Sequence, residues 1–287
     1  YGYDPIEKKP LYHFYPGSAI FSVGTVGCNL ACAYCQNWQI SQADAATTYL
    51  SPAAAAELAG GRTRGGRQSI GIAYTYSEPV VWWEHVHDTA SAVRQAGLVN
   101  VMVTNGFIEP EPLAELLPLI DAMNIDVKAF RDGFYREVCH GRLDPVLRTV
   151  ETAYRAGVHV EVTTLLVPGM NDSETELQQL ATWLGSISRT IPLHLSRYFP
   201  NYRMTTPPAT PVESMVAAYR TAREHLDFVY LGNIASEEGA DTICPACGAT
   251  VICRDGFRAT PVGLRGRACA RCGRPIVAGP GDSDVEV

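Results

Sequence analysis

The sequence predicts an α/β fold in which buried parallel strands alternate with helices, followed by a small metal-binding module. Between residues 19 and 231, short runs rich in Val, Ile and Leu alternate with longer amphipathic stretches, the order typical of parallel βα units. Polar motifs follow several of the runs, as expected where the carboxyl ends of parallel strands meet. Two Cys-x2-Cys-Gly pairs lie beyond the last run, a pattern typical of a metal site.

The individual elements follow from hydrophobic pattern and from helix-end signals. Strands that are covered on both faces read as continuous apolar segments, which predicts strands at residues 19–23, 69–74, 99–104, 122–127, 159–166, 192–196 and 228–231. Helices are predicted between them at 52–59, 79–96, 111–117, 145–156, 174–185 and 212–225. Ser51 followed by Pro52 indicates a helix start, and Gly97 and Gly157 indicate helix ends.

The composition is that of a globular chain with room for one barrel-sized domain and a small appendage. The chain has 287 residues, 46% of them hydrophobic, so a sizeable core can form. The sequence contains neither an apolar run of about 20 residues nor an N-terminal export signal. Nine cysteines in clustered spacings therefore favour a reducing cytoplasm, without membrane association.

Charge is distributed unevenly. The net charge of −7 argues against broad nucleic-acid binding. Residues 1–240 carry 17 Lys and Arg against 25 Asp and Glu, whereas residues 244–276 carry six Arg against Asp255 alone. We interpret these arginines as a solvated face that balances a dianionic four-thiolate metal centre. Docking of an acidic partner or of nucleic acid is the alternative.

These features divide the chain into four parts. They are a lead-in at 1–18, the strand-and-helix domain at 19–240, the metal-binding module at 241–278 and a disordered acidic tail at 279–287. Because the chain begins with Tyr1 rather than Met, we expect the lead-in to be truncated. We also expect the polar linker at 233–241 to let the module pack beside the mouth, the opening formed by the carboxyl ends of the strands.

The most informative motif is a Cys-x3-Cys-x2-Cys run formed by Cys28, Cys32 and Cys35, with no fourth cysteine nearby in sequence. A structural zinc site usually needs four ligands. Three close thiolates instead suit a [4Fe–4S] cluster that leaves one iron without a protein ligand. The alternatives are a disulfide pair with a spare thiol, or a zinc site completed by a distant residue.

This cysteine spacing is the signature of the radical S-adenosylmethionine (SAM) superfamily, and the chain resembles members related to pyruvate formate-lyase activating enzyme. It resembles in particular the radical SAM member of the AmmeMemoRadiSam system. The match is carried by residues 4–11 (DPIEKKPL), 13–14, 16–17, 35–42 (CQNWQISQ), 74–76 (YTY), 168–172 (PGMND) and 195–200 (LSRYFP). In that family a cysteine-containing segment usually precedes the first run, which agrees with the expected truncation.

The resemblance implies a partial parallel (β/α)6 TIM-like barrel with a C-terminal zinc-ribbon or rubredoxin-like module. In the superfamily, the amino and carboxylate groups of SAM chelate the open iron. An electron from the cluster then splits the sulfonium and yields a 5′-deoxyadenosyl radical. The implied cofactors are a [4Fe–4S] cluster and SAM. The implied partners are a reductant protein such as flavodoxin or ferredoxin, and proteins similar to Memo and AMMECR1.

Three candidate SAM contacts lie near the first strands. By resemblance, Tyr34 lies where the superfamily places an aromatic side chain near adenine, although it suits a pocket wall equally well. Also by resemblance, Ser77 and Glu78 occupy the position of the superfamily's turn that receives the methionyl amino group. A carboxylate suits an ammonium group by charge and hydrogen bonding. The alternative for Glu78 is a solvated acid at a helix N-terminus.

Further candidates lie at later strand ends. Asp126 and Lys128 alternate along a strand and share one face, and by resemblance they hold the ribose hydroxyls or carboxylate of SAM; an internal salt bridge is the alternative. His194 is a candidate for the adenosine side or a structural histidine. Asn105 and Arg197 are candidates for SAM or substrate contact. Three further residues are interpreted as structural or surface residues, namely Cys139, His85 and His87.

The second predicted metal site consists of Cys244, Cys247, Cys269 and Cys272. Two Cys-x2-Cys-Gly knuckles about twenty residues apart are typical of a zinc ribbon, and rubredoxin-like iron uses the same ligands. Cys253, between the pairs, is interpreted as a bystander. A segment of about 35 residues needs a metal to supply much of its folding free energy.

The sequence therefore predicts an enzyme that cleaves SAM reductively and abstracts hydrogen from an unknown substrate. A protein substrate is one expectation, because the activating enzymes that it resembles act on proteins. Two other classes stay open. One is a non-catalytic iron–sulfur and zinc protein that transfers electrons or serves as a docking module. The other is an RNA-modifying radical SAM enzyme that docks RNA through the basic module, against which the acidic strand-and-helix domain argues.

Overall fold

The computed structural model describes residues 1–236 and 238–278. Its largest element is an eight-stranded sheet with its strands in chain order. β1 pairs antiparallel with β2, and all later neighbours are parallel. The strands are β1 (Gly2–Pro5), β2 (Ala19–Val23), β3 (Ser69–Tyr74), β4 (Val99–Thr104), β5 (Ala122–Asp126), β6 (His159–Leu166), β7 (Leu193–Arg197) and β8 (Val229–Gly232).

Helices connect the parallel strands, as right-handed βα crossovers require. They are α1 (Trp38–Ser41), α2 (Pro52–Ala59), α3 (Trp83–Gln95), α4 (Pro110–Leu116), α5 (Asp132–Phe134), α6 (Leu143–Arg155), α7 (Glu174–Ile187) and α8 (Val212–Arg223). Short 3-10 turns lie at Ile6–Lys8, Pro79–Trp82 and Leu117–Leu119, and a π-helical turn lies at Tyr135–Cys139. An α/β fold with a mostly parallel sheet is therefore confirmed, and the seven predicted strands match the structure within a residue at either end.

The residues that were predicted to start and end helices do so in the structure. The Ser51 hydroxyl accepts a hydrogen bond from the Ala54 backbone N–H at 3.3 Å and caps α2. Gly97 and Gly157 have φ of 73° and 85°, the left-handed conformation that ends α3 and α6. The main core lies between these helices and the sheet. Fully buried valines such as Val86 in α3 and Val146 in α6 each stabilise it by roughly 1.5–3 kcal/mol.

The first eighteen residues are more than a lead-in, because they contribute β1 and then run along the sheet. β1 was not predicted from the sequence, since it lacks a continuous apolar run. The Tyr3 hydroxyl donates to the Leu58 carbonyl at 2.8 Å, which ties β1 to α2. Further along, the Asn124 side chain on β5 donates to the Pro10 carbonyl at 2.8 Å. The N-terminal segment thereby reaches the inner side chains of the sheet.

The C-terminal module has five short strands: β9 (Thr242–Ile243), β10 (Thr250–Asp255), β11 (Arg258–Pro261), β12 (Leu264–Arg265) and β13 (Ala268–Cys269). They form a three-stranded and a two-stranded antiparallel sheet. Val251, Ile252 and Ile276 of the module share a buried apolar cluster with Phe228 and Tyr230. Because Phe228 precedes β8 and Tyr230 lies near its start, the module packs at the amino-terminal ends of the strands.

This placement corrects the expectation that the module packs beside the mouth, which lies at the opposite ends of the strands. Aromatic side chains before and at the start of β8 leave an apolar surface there, and the module covers it. The predicted acidic tail at 279–287 and Glu237 of the linker lie outside the described residues. In the described part of the chain, every helix is too short or too polar to cross a membrane.

Candidate functional site

A cavity of about 420 Å³ opens at the carboxyl ends of the parallel strands. This volume lies within the usual range of ligand pockets, about 300–1,000 Å³. The structure brings most of the predicted site residues together on its walls. They are Cys28, Cys32, Tyr34, Cys35, Ser77, Glu78, Asn105, Asp126 and Lys128. Their convergence follows from the parallel topology, which places all of the loops after the strands at one end of the sheet.

The loop that carries Cys28, Cys32 and Cys35 follows β2 and is held from two sides. The Gly27 backbone N–H donates to the Ile40 carbonyl at 2.8 Å, which closes the loop upon α1. The Ala31 and Ala33 N–H groups donate to carbonyls of the π-helical turn at 2.9 and 3.0 Å. Gly27 has φ of 106°, a conformation that side chains disfavour. The loop is thus fixed by backbone contacts before any ligand binds.

Each of the three sulfurs has a polar neighbour. The Cys28 sulfur accepts hydrogen bonds from the Leu30 N–H at 3.4 Å and the Asn105 amide at 3.5 Å. The Cys35 sulfur lies 3.0 Å from the Ser41 hydroxyl. The third, Cys32, lies beside Cys139, a residue from the π-helical turn. Donors of this kind stabilise the anionic sulfurs of an iron–sulfur cluster.

Two of the three thiols have a pKa above its ordinary value. Burial, and secondarily the charge of Glu78, raise the pKa of Cys28 to about 11. The neighbouring Cys139 thiol, together with burial, raises the pKa of Cys32 well above its usual value. Buried thiols in this state need a strong Lewis acid to ionise, and iron supplies one. Three cysteines on one pocket wall, each with a polar partner, fit a [4Fe–4S] cluster with an open iron.

Glu78 is a buried acid in the pocket wall and not a solvated loop residue. Its side chain is 3% exposed. One carboxylate oxygen accepts from the Thr104 hydroxyl at 2.6 Å, and the other accepts from the Asn105 N–H at 2.7 Å. Burial raises the pKa of Glu78 to about 7, although these hydrogen bonds oppose the shift. A buried acid held in one orientation is suited to a cationic ligand group.

Ser77 and Asn105 position the polypeptide around Glu78. The Ser77 hydroxyl accepts from the Thr25 N–H at 3.3 Å, which connects the turn after β3 to the start of the cysteine loop. The Asn105 amide donates to the Asn29 side chain at 2.8 Å as well as to the Cys28 sulfur. The turns after β3 and β4 are thus tied to the loop that would hold the cluster.

Asp126 and Lys128 form the salt bridge that was the alternative interpretation, with their charged atoms 2.9 Å apart, and both line the pocket. Burial alone would lower the pKa of Lys128, but Asp126 and the nearby thiols Cys32 and Cys139 raise it well above its usual value. Because the salt bridge lies on the pocket wall, its two charges are also available to a polar ligand. Ligand binding by this pair stays a prediction.

Tyr34 is a buried residue whose ring lines the pocket. Its ring centroid lies 6.1 Å from that of Phe134, and its hydroxyl oxygen lies 3.7 Å from the Cys139 sulfur. The hydroxyl therefore points into the protein, and one face or edge of the ring is left to contact a ligand. This position agrees with either a wall residue or a stacking partner for adenine.

His194 is a predicted site residue that the structure places elsewhere. It lies near the amino end of β7, where its ring nitrogen is 2.6 Å from the Glu161 carboxylate and its ring stacks on Tyr230. It is not among the described residues that line the pocket. The predicted contact of His194 with adenosine is therefore wrong. The residue has a structural role near the amino-terminal ends of the strands. The physical reason is register, because β7 begins at Leu193 and leaves His194 one residue inside its start.

Arg197 also has a structural partner, since its guanidinium donates to the Thr210 carbonyl at 2.7 Å. Arg197 is absent from the pocket-lining residues of the described chain. Of the residues interpreted as structural, His85 and His87 lie on α3 and stack on Trp82 and Trp83. Cys139 is different, because it lies directly behind the cysteine loop.

Sequence reasoning missed the contribution of the N-terminal segment to the pocket. Lys8, Lys9 and Tyr76 line it. The Lys9 ammonium, which is 1% exposed, lies 2.7 Å from Asp4 and 4.4 Å from the Tyr76 ring centroid. The Tyr76 hydroxyl also donates to Asp4. Burial lowers the pKa of Lys9 to about 8, against the opposing effect of Asp4. The available signal was the Asp-Pro-Ile-Glu-Lys-Lys run, which had no assigned role.

The four module cysteines form a second candidate metal centre. The sulfurs of Cys244, Cys247, Cys269 and Cys272 all lie within 4.8 Å of one another. After each pair, a glycine with φ of 70° or 76° completes the knuckle, and its N–H donates to the carbonyl of the first cysteine at 2.9 or 2.8 Å. Cys253 lies on β10 outside the group, as predicted. Four sulfurs at this spacing suit a tetrahedral metal ion.

The six module arginines are not one solvated face. Arg254 contacts Tyr12 and Tyr230, and the Arg274 guanidinium forms an ion pair with Asp227. These two residues connect the module to the strand-and-helix domain. The interpretation of the arginines as solvent-exposed charges is therefore wrong for at least two of them. Their guanidinium groups are used for planar stacking and multiple hydrogen bonds.

Comparisons with known proteins agree with this geometry. The model of the radical SAM superfamily matches residues 22–181. The uncharacterized protein MJ0808 of Methanocaldococcus jannaschii is 43% identical over 281 residues, which are 95% of this chain and 82% of that protein. Benzylsuccinate synthase activating enzyme of Thauera aromatica is 24% identical over 122 residues, covering 42% of this chain and 37% of that enzyme.

Solved structures show the same fold at low sequence identity. A domain of pyruvate-formate lyase-activating enzyme from Bacteroides vulgatus has a TM-score of 0.50 at 19% identity, covering 57% of this chain and 99% of that one. SuiB of Streptococcus suis has a TM-score of 0.57 at 13% identity, covering 79% of this chain and 52% of that one. The family model spans more than half of the sequence, and its match begins in β2, immediately before the cysteine loop. The chain therefore belongs to the radical SAM superfamily, and this membership implies a [4Fe–4S] cluster and SAM as its cofactors.

Proposed function

We propose that the chain is an enzyme that cleaves SAM reductively and abstracts hydrogen from a substrate presented at the mouth. One observation carries the proposal. Cys28, Cys32 and Cys35 share a pocket with a buried acid, Glu78, and with the charged pair Asp126 and Lys128. Sulfur ligands for iron and opposite charges for a zwitterionic cofactor are thus within one cavity. A non-catalytic electron-transfer protein would not need these charges in its pocket.

The residues have separate roles in this proposal. Cys28, Cys32 and Cys35 would hold the cluster, and the bound cluster and SAM together supply the radical chemistry. Glu78 would accept hydrogen bonds from the methionyl ammonium group, with Ser77 and Asn105 fixing the turns on either side. Asp126 would accept hydrogen bonds from ribose hydroxyls, and Lys128 would attract the SAM carboxylate. Tyr34 would exclude water beside adenine, because it is buried and lines the same wall.

The size of the pocket supports a macromolecular substrate. At about 420 Å³ it lies at the lower end of ligand pockets, so a cluster and SAM would leave little room. A substrate atom would then have to enter from the open mouth, as part of a loop or peptide. We propose a protein substrate on this basis, which agrees with the activating enzyme among the relatives.

The partners are proposed from the motif resemblance alone. They are a reductant such as flavodoxin or ferredoxin, which would donate the electron to the cluster, and proteins similar to Memo and AMMECR1. Membership of the AmmeMemoRadiSam system and a cytoplasmic location also remain proposals. Each partner can be tested by adding it to the reconstituted protein and measuring SAM turnover.

The module is proposed as a structural zinc site. Four cysteines fill a tetrahedral site and leave no open position for a substrate, and the module packs at the far end from the mouth. This position also weighs against RNA modification through the basic module. Arg254 is engaged by the strand-and-helix domain, and an RNA held at the module would be distant from the pocket. Salt-dependent RNA binding would favour that alternative.

The test is anaerobic reconstitution with iron and sulfide, followed by analysis of SAM products under reducing conditions. The wild-type protein should bind about four irons in the pocket and release methionine and 5′-deoxyadenosine. Replacing Cys28, Cys32 and Cys35 together by Ala should abolish both results, whereas Cys253→Ala should change neither. A cluster that assembles but neither binds nor cleaves SAM would favour the electron-transfer alternative. Unchanged cleavage in the triple variant would contradict the proposal.

A further inference from the structure

The lysines of this chain are confined to the pocket. The chain has three lysines and twenty arginines. Lys8, Lys9 and Lys128 all line the pocket, whereas no arginine of the described residues does. A lysine presents a compact ammonium on a flexible stem, and a guanidinium is broader and planar. The pocket wall thus uses the smaller cation, and the proposed binding of SAM gives a role to Lys128 alone.

Lys8 and Lys9 are held side by side by a single carboxylate. The Lys8 ammonium lies 2.8 Å from one oxygen of Asp4, and the Lys9 ammonium lies 2.7 Å from the other. The Tyr76 hydroxyl also donates to the oxygen that Lys9 contacts. Burial lowers the pKa of Lys9 only to about 8, so both ammonium groups are charged at neutral pH. Because they share one counter-charge, one positive charge is in excess on the pocket wall.

The Lys9 ammonium keeps a donor for a ligand in the cavity. An ammonium has three N–H groups, and among the described residues Asp4 is the only hydrogen-bond acceptor of Lys9. A second N–H can face the Tyr76 ring, whose centroid is 4.4 Å away. At least one N–H is then left for a ligand. Lys9 is 1% exposed, and a hydrogen bond to an anion is stronger at such a site because water does not compete.

The turn at Tyr76 fixes the other side of this cluster. Tyr76 has φ of 70°, a left-handed conformation that residues other than glycine rarely adopt and that is concentrated at functional sites. The Asn37 side chain donates to the Tyr76 carbonyl at 2.8 Å, and Asn37 itself lines the pocket. The ring is therefore held against Lys9 by a constrained backbone.

On the basis of the proposed function, we propose that Lys8 and Lys9, held by Asp4 and Tyr76, form a binding site for a carboxylate side chain of the protein substrate. The Lys8 side chain is 44% exposed and the Lys9 side chain 1%, so the pair extends from solvent to the inner wall. An aspartate or glutamate that enters from the mouth would form charge-assisted hydrogen bonds with both. This contact would orient the substrate segment over the pocket.

The test is nuclear magnetic resonance of the full chain labelled with isotopic lysine, before iron is added. The three lysines give three side-chain signals, each assigned by its own substitution. The probe is N-acetylglutamate α-amide, and N-acetylglutamine α-amide is its neutral analogue at the same ionic strength. The probe should shift the Lys8 and Lys9 signals until they saturate, and the neutral analogue should not. Lys9→Met should raise the dissociation constant of the probe about tenfold, as followed through Lys8. Arg64→Met, at an exposed arginine outside the described pocket lining, is the control and should bind the probe normally.

The outcomes separate this inference from the proposed function, because the probe titration needs neither the cluster nor SAM. If the probe shifts neither Lys8 nor Lys9, or shifts Lys128 alone, the inference is wrong even where SAM is cleaved. If Lys9→Met fails to fold, Lys8→Met decides, and an unchanged affinity for the probe overturns the inference. After reconstitution, Lys9→Met should bind SAM as tightly as the wild type in equilibrium dialysis. Weaker binding of SAM would assign the cluster to the SAM carboxylate and overturn the inference. A wild type that binds the probe but cleaves no SAM would contradict the proposed function alone.

Discussion

The guanidinium of Arg254 lies over the ring of Tyr12, with its central carbon 4.2 Å from the ring centroid, and donates to the Tyr12 carbonyl at 2.8 Å. Arg254 belongs to the module and Tyr12 to the N-terminal segment. The same segment carries Lys8 and Lys9 to the wall of the pocket. The N-terminal segment thus contacts the module at one end of the strands and the candidate active site at the other.

We expect Arg254→Ala to destabilise the protein by on the order of 3 kcal/mol. The change removes a desolvated cation–π contact and leaves the Tyr12 carbonyl without its donor. Urea unfolding gives the free energy, and limited proteolysis reports whether the module detaches. Arg258→Ala is the control, because Arg258 is an exposed residue on neighbouring β11. Equal losses in the two variants would contradict the proposed role of Arg254.

Glu78→Gln should weaken SAM binding while the cluster stays intact. The lost charge-assisted hydrogen bond is worth about 1.5–3 kcal/mol, which corresponds to a roughly tenfold to hundredfold increase in the dissociation constant. Equilibrium dialysis of the reconstituted protein under anaerobic conditions measures this dissociation constant. Glu84→Gln, an exposed acid on the helix that follows, should bind SAM normally. If Glu78→Gln binds SAM as tightly as the wild type, the assignment of Glu78 is wrong.

Asp126 and Lys128 should act as a coupled pair in SAM binding. Asp126→Asn leaves a half-buried ammonium without its counter-charge, and Lys128→Met removes that ammonium. If both contact SAM, each substitution alone should raise the dissociation constant about tenfold. The double variant should lose less binding free energy than the sum of the two single losses. Asp88→Asn, on an exposed side chain of α3, is the control. Wild-type affinity in all of the variants would leave the pair as a structural salt bridge.

The two metal centres should be separable, because they lie at opposite ends of the strands. Replacing Cys244 and Cys272 by Ala should remove about one zinc per chain without loss of iron, as measured by elemental analysis. A bound metal would supply folding free energy to the module, so calorimetry of the variant should show a lower unfolding temperature. Cys253→Ala should change neither measurement. Loss of iron together with zinc, in a protein that keeps its circular dichroism spectrum, would contradict the separation.

Acid should destabilise the contact between the module and the N-terminal segment through His13. Its ring bridges the Ile276 carbonyl and the Tyr230 hydroxyl, each at 2.6 Å, and burial lowers its pKa to about 4 from an ordinary 6.5. The folded pKa is below the unfolded pKa, so the unfolded chain binds more protons in this range. The contribution of His13 to the free energy of unfolding is therefore fully present above pH 6.5. It decreases by about 3 kcal/mol in total as the pH falls toward 4.

The dependence on His13 is isolated by comparing unfolding temperatures of the wild type and His13→Gln between pH 7.5 and pH 5. Glutamine can form both hydrogen bonds but does not titrate in this range. The wild type should lose more stability than the variant as the pH falls. Parallel pH profiles would show that acid acts through other groups, such as the metal-binding thiols.

Much of the fold could be predicted because its signals are local. Parallel strands buried on both faces require continuous apolar runs, and helix ends require particular residues such as Ser51 and Gly97. These requirements apply to short segments, so seven strands were found with nearly correct bounds. β1 was missed because an edge strand that pairs antiparallel over four residues has no such run. The spacing of Cys28, Cys32 and Cys35 likewise predicted the superfamily directly, because the whole motif lies within a short stretch of sequence.

The sequence by itself therefore determined the superfamily, the α/β class with its seven parallel strands and the two sets of candidate metal-binding cysteines. Only the tertiary structure decided which polar residues share the pocket. His194 and Asp126 both lie in strands, but register places one near the start and the other at the end, at opposite ends of the sheet. Lys9 and Cys139 reach the site from segments distant in sequence. No local pattern encodes such contacts, because they depend on how whole elements pack against one another.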